Sequence, residues 1–143
     1  MIEYIKGDAT SPVCDGVLVH VCNDVGAWGA GFVLSLSARY PETKDLYKSH
    51  DGSLYLGMCI PQRLSENLRV VHMIAQSGLK SKNNPHPLSM EHLKECLTKV
   101  SKRYPDSVIH MPKIGSGLGG GDWSVIEGVI ESSMNNRVIV YVM

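Results

Sequence analysis

Hydrophobic positions recur along the chain in two rhythms, and their alternation predicts the elements. Residues 2–6 alternate, and residues 17–22 form a short apolar run with Val17, Val19 and Val21. Both read as strands, the second one buried. After a glycine-rich loop at 23–30, Val33, Leu36 and Tyr40 fall at helical spacing over 31–40, and Pro41 stops that helix. Residues 41–49 allow a further helical turn or two. Strand-like runs follow at 54–61 and 68–75, with polar residues 62–67 between them, as in a hairpin or a pair of adjacent strands. Residues 76–87 are polar, contain Asn83-Asn84-Pro85, and read as a loop. Over 88–104, Met90, Leu93, Leu97 and Val100 share one stripe, with Ser89 as N-cap and Pro105 as stop. Residues 108–111 form a strand, and 113–121 are a second glycine-rich loop. Trp123, Ile126 and Ile130 share a stripe over 122–134, where Ser124-x-x-Glu127 has the form of a capping box. Residues 137–142 close the series as a strand.

The predicted order is β-β-α-β-β-α-β-α-β. Strands alternating with helices imply parallel pairs and right-handed crossovers. The expected fold class is α/β, a three-layer α/β/α sandwich on a mixed, mostly parallel six-stranded sheet. Neither a repeat nor a linker divides the 143 residues, so 1–143 reads as a single domain.

Charge narrows the partners. Fourteen basic and 14 acidic side chains give a net charge of zero, which argues against direct binding to nucleic acid or an acidic membrane. Lys94, Lys99, Lys102 and Arg103 cluster late in one predicted helix, but Glu91 and Glu95 precede them, as on a solvated face. No apolar run is long enough to span a bilayer, and the first residues lack the layout of a secretory leader. Cys14, Cys22, Cys59 and Cys96 form no C-x-x-C pair and read as buried free thiols of a cytoplasmic protein. The six histidines are dispersed, and no spacing suits a metal site.

Glycine placement carries the candidate chemistry. Of 14 glycines, three fall in 25–31 and five in 115–121. Each cluster follows an apolar strand and leads into a helix, where the ligand crevice of an α/β sheet forms. Glycines there let backbone N–H groups close on a phosphate, and the helix N-terminus adds a favourable dipole. Two such loops suit a diphosphate gripped from both sides. Gly115-x-Gly117-x-x-Gly120 matches the dinucleotide fingerprint, but residues 135–142 offer no carboxylate for a ribose. An NAD-type dehydrogenase is thereby disfavoured, and no P-loop motif occurs.

Five segments together resemble a macrodomain: Tyr4-Ile5-Lys6-Gly7-Asp8, Val19-His20-Val21-Cys22-Asn23, Gly26-Ala27-Trp28-Gly29-Ala30-Gly31-Phe32, Ala38-Arg39-Tyr40-Pro41 and Met111-Pro112-Lys113-Ile114-Gly115-Ser116-Gly117-Leu118. The resemblance spans nearly the whole chain in order. It is closest to the small branch that includes the yeast-type ADP-ribose 1''-phosphate phosphatase and the terminal ADP-ribose protein hydrolase. It implies a monomer that binds ADP-ribose or ADP-ribose 1''-phosphate, with no cofactor and no metal. By position it implies that Asp8 accepts the adenine amino group, with the backbone N–H of Ala9 beside it. Asn23 would orient the distal ribose. Gly29, Ala30, Gly31 and Phe32 would form the first phosphate loop. Pro112, Ile114, Gly115, Ser116, Gly117, Leu118, Gly119 and Gly120 would form the second.

The resemblance places His20, with Asp24 or Asp122, at the terminal phosphate. Imidazole suits acid or nucleophilic work on a phosphomonoester near neutral pH. Bland alternatives stay open. Asp8 also fits an Asx-turn, His20 a hydrogen-bonded core histidine and Asp122 a helix cap. Trp28 fits either a cover for the ribose or a core side chain. Phosphatase activity is the leading expectation. Hydrolysis of an ADP-ribosylated macromolecule and non-catalytic binding of an NAD metabolite are the alternatives. The terminal ADP-ribose hydrolase branch carries a lysine where this chain has Gln76 and an aspartate where it has Gly119, and the larger hydrolase class carries an aspartate that 29–33 lacks. Both departures point away from the hydrolase routes.

Overall fold

The two longest apolar runs lie side by side in a single sheet because each is buried on both faces. They are β2 (Gly16–Asn23) and β4 (Leu68–Gln76). The computed structural model describes residues 2–143. The other strands are β1 (Ile2–Lys6), β3 (Cys59–Arg63), β5 (Ile109–Met111) and β6 (Val138–Val142), and the six-stranded order is β1-β6-β5-β2-β4-β3. Only the edge pair β3–β4 is antiparallel. The sheet is thus mixed and mostly parallel. Near-continuous apolar strands are the signature of parallel sheets covered on both sides.

The helices that cover it are α1 (Phe32–Arg39), α2 (Glu42–Ser49), α3 (Met90–Arg103) and α4 (Trp123–Ser133). Side chains alternate across the sheet. Val17 and Val19 of β2 and Val71 and Met73 of β4 meet Leu93, Leu97, Ile126 and Ile130 of α3 and α4. Leu18 and Cys22 of β2 and Val70 and Ile74 of β4 join Leu36 and Tyr47 of α1 and α2. Three layers result, as the periodicity implies. Ser89 caps α3 by accepting from the His92 N–H. Among the described residues no helix is long and apolar enough to cross a membrane.

Three details differ from expectation. The strand expected at 54–61 begins only at Cys59 and runs on to Arg63. Gly57, at φ 91°, turns the chain while its N–H bonds to Ile74 O. Pairing with β4 then extends the strand through polar Gln62 and Arg63. Pro61 is tolerated there because β3 is an edge strand. The α4 cap is Asp122, which accepts from Ser124 N–H, so the Ser124–Glu127 box does not begin the helix. Cys22 and Cys96 are buried, but Cys14 is exposed and Cys59 half-buried.

His20, His72 and His110 lie in the sheet at 0–2% exposure. Burial disfavours their charged forms and pushes all three below the usual histidine range, His72 to about 4 with a further push from His50. A depressed histidine stabilises the fold fully above its unfolded value of 6.5 and loses that contribution as pH falls through the folded value. Urea midpoints should therefore fall between pH 6.5 and 4, with His72 alone contributing about 3 kcal/mol of the loss. A flat profile across that window would contradict the buried neutral state. Leu97→Ala, at a site with 0% exposure, should cost about 2–5 kcal/mol with an unchanged urea m-value.

Candidate functional site

Parallel strands bring both glycine loops to one edge of the sheet. The first leaves the C-terminal end of β2, and the second leaves that of its neighbour β5. Asn23 shapes the first loop. Its Oδ1 accepts from the N–H groups of Val25 and Ala27, and its Nδ2 donates to Ala27 O at 2.9 Å. The buried Tyr47 hydroxyl donates to Asn23, lying 2.6 Å from its backbone oxygen and 2.9 Å from Oδ1. Lys48 Nζ holds the same turn through Gly26 O. Gly31, at φ 80°, then swings the chain into α1. That helix starts with no side-chain cap and no acidic residue in its first turn. Its leading N–H groups are thus available to an anion.

The second loop folds on its own backbone. Gly121 N–H donates to Gly115 O, and Gly120 N–H to Gly117 O. A Cβ on Gly119 would stand 2.6 Å from Gly115 O, so no other residue fits there. Between the loops lies a cleft of about 770 Å³, within the range of small-ligand sites. It is lined by His20, Val21, Cys22, Asn23 and Ala27, by 29–33, by Gln76, Leu79 and Lys80, by 112–115 and by 117–119.

Many residues named from the sequence therefore meet: His20, Asn23, Gly29, Ala30, Gly31, Phe32, Pro112, Ile114, Gly115, Gly117, Leu118 and Gly119 all line the cleft. The others lie outside this lining. Asp8 Oδ1 accepts from Thr10 N–H and Oγ1 at 2.9 and 2.8 Å. The Thr10 N–H bond, with Arg39 near, holds its carboxyl below the usual range. Ala9 is buried in the core beside α1 and α2. Asp24 Oδ1 accepts from Gly78 N–H at 2.8 Å, which ties the first loop to the segment after β4. Ser116 Oγ donates to Lys113 O, and Gly120 O lies 2.8 Å from His86 Nδ1. Asp122 is exposed, and its hydrogen bonds to Ser124 at the α4 cap hold it low. Trp28 is buried at 4% exposure against His20, Tyr47 and His72. Its Nε1 has no hydrogen-bond partner among the described residues.

Lys80 and Lys113 also line the cleft, and sequence reasoning did not single them out. Lys113 sits between two residues that were named. Lys80 lies in a polar loop that nothing local marks.

At the cleft floor, His20 and His72 occupy paired positions on β2 and β4. Nε2 of His20 lies 2.6 Å from Nδ1 of His72, and the Cys22 thiol is 3.7 Å from the His20 ring. One ligand atom from each of the three lies within 4.8 Å of the others. Two imidazole nitrogens on one tetrahedral ion stand about 3.3 Å apart, however. The histidines are too close for that and share a proton instead.

No protein-family model matches the chain. A Meyerozyma guilliermondii protein named ADP-ribose 1''-phosphate phosphatase is 30% identical, over 91% of this chain and 92% of its own. A protein of unknown function from Bacteroides thetaiotaomicron, 35% identical, superposes with a TM-score of 0.90 over 99% of this chain and 97% of its own. A macrodomain protein from Streptomyces coelicolor, 33% identical, superposes with a TM-score of 0.85 over 100% of this chain and 99% of its own. With the layered sheet, the paired glycine loops and likeness along the full length in agreement, the chain belongs to the macrodomain family.

Proposed function

We propose that the cleft binds ADP-ribose and that the protein removes the terminal phosphate of ADP-ribose 1''-phosphate. The observation that carries the binding is the state of Gly29 and Gly117. Neither has a positive φ, and a Cβ on either would meet nothing within 4 Å. The fold does not require glycine at these two lining positions, whereas a ligand drawn close to both loops does. The bare start of α1 and the cations Lys80 and Lys113 suit its diphosphate.

Asp8 accepts the adenine amino group through Oδ2, beside the Ala9 N–H. Asn23 has one Nδ2 hydrogen beyond that given to Ala27, and it directs this hydrogen to the distal ribose. Ala30, Gly31 and Phe32 close on the diphosphate from one side. Pro112, Ile114, Gly115, Leu118 and Gly119 wall the other. Ser116, Gly120, Asp24 and Asp122 support the loops and the α4 start. Trp28 backs the His20 ring from the core.

His20 is the residue for the chemistry. Attack of water on phosphorus forms one P–O bond and breaks the bond to the 1'' oxygen. His20 takes the proton of the water, and the departing oxygen takes one from solvent. The yeast relative's name supports this reaction class. A second reading, binding without turnover, draws on the 2% exposure of His20. Hydrolysis of ADP-ribosylated macromolecules has less support, since Gln76 and Gly119 stand in the cleft where the hydrolase branch carries its lysine and aspartate.

Titration calorimetry with ADP-ribose should give saturable heat, and none at millimolar ligand would end all of these readings. Gly117→Val should keep the melting temperature within about 2 °C, because the space is open, yet weaken ADP-ribose at least about tenfold. Unchanged affinity would move the diphosphate elsewhere. His20→Ala should keep ADP-ribose affinity while phosphate release falls about 100-fold. Undiminished release would remove His20 from the mechanism.

A further inference from the structure

A chain of hydrogen bonds runs through the sheet from the outer edge to the cleft floor. It starts at a backbone carbonyl, Glu42 O at the start of α2, which can only accept. Gln62 on β3 lies 3.0 Å from it, and the donor must be the Gln62 amide nitrogen. That contact fixes the orientation of the amide, so Gln62 Oε1 is the atom 2.9 Å from His72 Nε2. An amide oxygen also only accepts. His72 therefore carries its proton on Nε2, and in the neutral ring Nδ1 is a lone pair. The 2.6 Å contact to His20 then needs a proton from His20 Nε2. In a neutral His20 this leaves Nδ1 unprotonated.

We propose that Gln62, on the far edge of the sheet, is a positioning residue that sets the tautomer of His20 through His72, so that Nδ1 is its unprotonated nitrogen. The role for phosphate release rests on the function proposed above.

Strand register makes the relay. His20 pairs with His72 across β2 and β4, and Ile60 pairs with His72 across β4 and β3. Gln62, two residues on from Ile60, points to the same face. Both rings are kept neutral by burial, and His72 further disfavours charge on His20. Cys22 lies beside His20, Tyr47 stands behind Trp28, and His50, the C-cap of α2, adds to the cost of charging His72. Trp28 at 5.8 Å edge-on and Phe32 at 5.8 Å tilted hold the His20 ring plane. Among the described residues the hydrogen-bonding atom near Nδ1 is the Cys22 sulfur, 3.7 Å from both ring nitrogens, and a thiol is a weak donor that leaves the lone pair free. An Nε2–H tautomer makes His20 a proton acceptor for water in the free protein. The other tautomer would make it a donor. Gln62 thus decides the direction of proton transfer without touching the cleft.

The test uses the full chain with ¹⁵N-labelled histidine. Long-range ¹H–¹⁵N spectra at pH 7 should show His20 and His72 each protonated on Nε2 and unprotonated on Nδ1. Gln62→Met keeps the length and removes the acceptor, and it should give mixed tautomers in both rings. Gln62→Glu restores an acceptor and should restore the wild-type pattern. In the same variants, kcat for phosphate release should fall about tenfold in Gln62→Met and recover in Gln62→Glu, with KM and ADP-ribose affinity within about twofold throughout. Nδ1–H on His20 in the wild type overturns the proposal, as do unchanged tautomers in a folded Gln62→Met. A wild type with the expected tautomers that binds ADP-ribose but releases no phosphate counts against the phosphatase reading alone, because the ring-nitrogen signals have already decided the relay.

Discussion

The parallel pairing of β2 with its neighbours is the constraint on which the rest of the molecule depends. It fixes direction, and direction brings both glycine loops to one edge of the sheet, after β2 and after β5. It also fixes register, and register puts His20 opposite His72. A shift by one residue would send His20 to the α3/α4 face and Val19 to the cleft floor. The apolar residues that flank the histidines prevent that shift. Val17 and Val19 are fully matched to the α3/α4 core, and Leu18 and Cys22 to the α1/α2 core. Hydrophobic sorting across the sheet therefore positions His20 and His72 below the cleft.

Below the loops, the ordering principle changes from apolar packing to saturation of polar atoms. Asn23 Oδ1 is near three donors, and Tyr47 reaches the same residue from α2. A buried amide so fully bonded is stiff, because each lost bond leaves an unpaired group in a low-dielectric region. The same surroundings raise the Tyr47 phenol through burial, so its hydroxyl keeps its proton and stays a donor. The first loop is thus rigid before any ligand arrives. A preorganised loop lowers the ordering cost of binding.

Much of this was legible in the sequence, and the reasons are local. Val17, Val19 and Val21 mark a buried strand without help from the rest of the chain. Pro41, Pro105 and Ser89 mark helix ends because their effects act within a turn. The glycine clusters mark the loops. What was not legible depends on pairing across the sheet. The β3 strand was expected at 54–61, because Leu54, Tyr55 and Leu56 look like strand residues. Register with β4 instead selects Cys59–Arg63 and turns the chain at Gly57. Gln62 reads as loop material until β4 recruits it. Lys80 reads as a solvated side chain until the fold carries its loop to the cleft. Asp122 and Ser124 compete for one cap within three residues, and only the backbone geometry at Asp122 decides between them.

The glycines separate the two kinds of information most sharply. Gly31 and Gly119 answer to the protein itself, one through a positive φ and one through the Gly115 carbonyl against which a Cβ would press. Gly29 and Gly117 answer to nothing in the protein. A sequence displays all four as the same letter. Only the fold distinguishes a glycine that the chain needs in order to turn from one that leaves room. A side chain at the second kind would cost the fold little, so glycine at 29 and 117 leaves the backbone open on both walls of the cleft. On the function proposed above, that open backbone is the room through which the diphosphate passes.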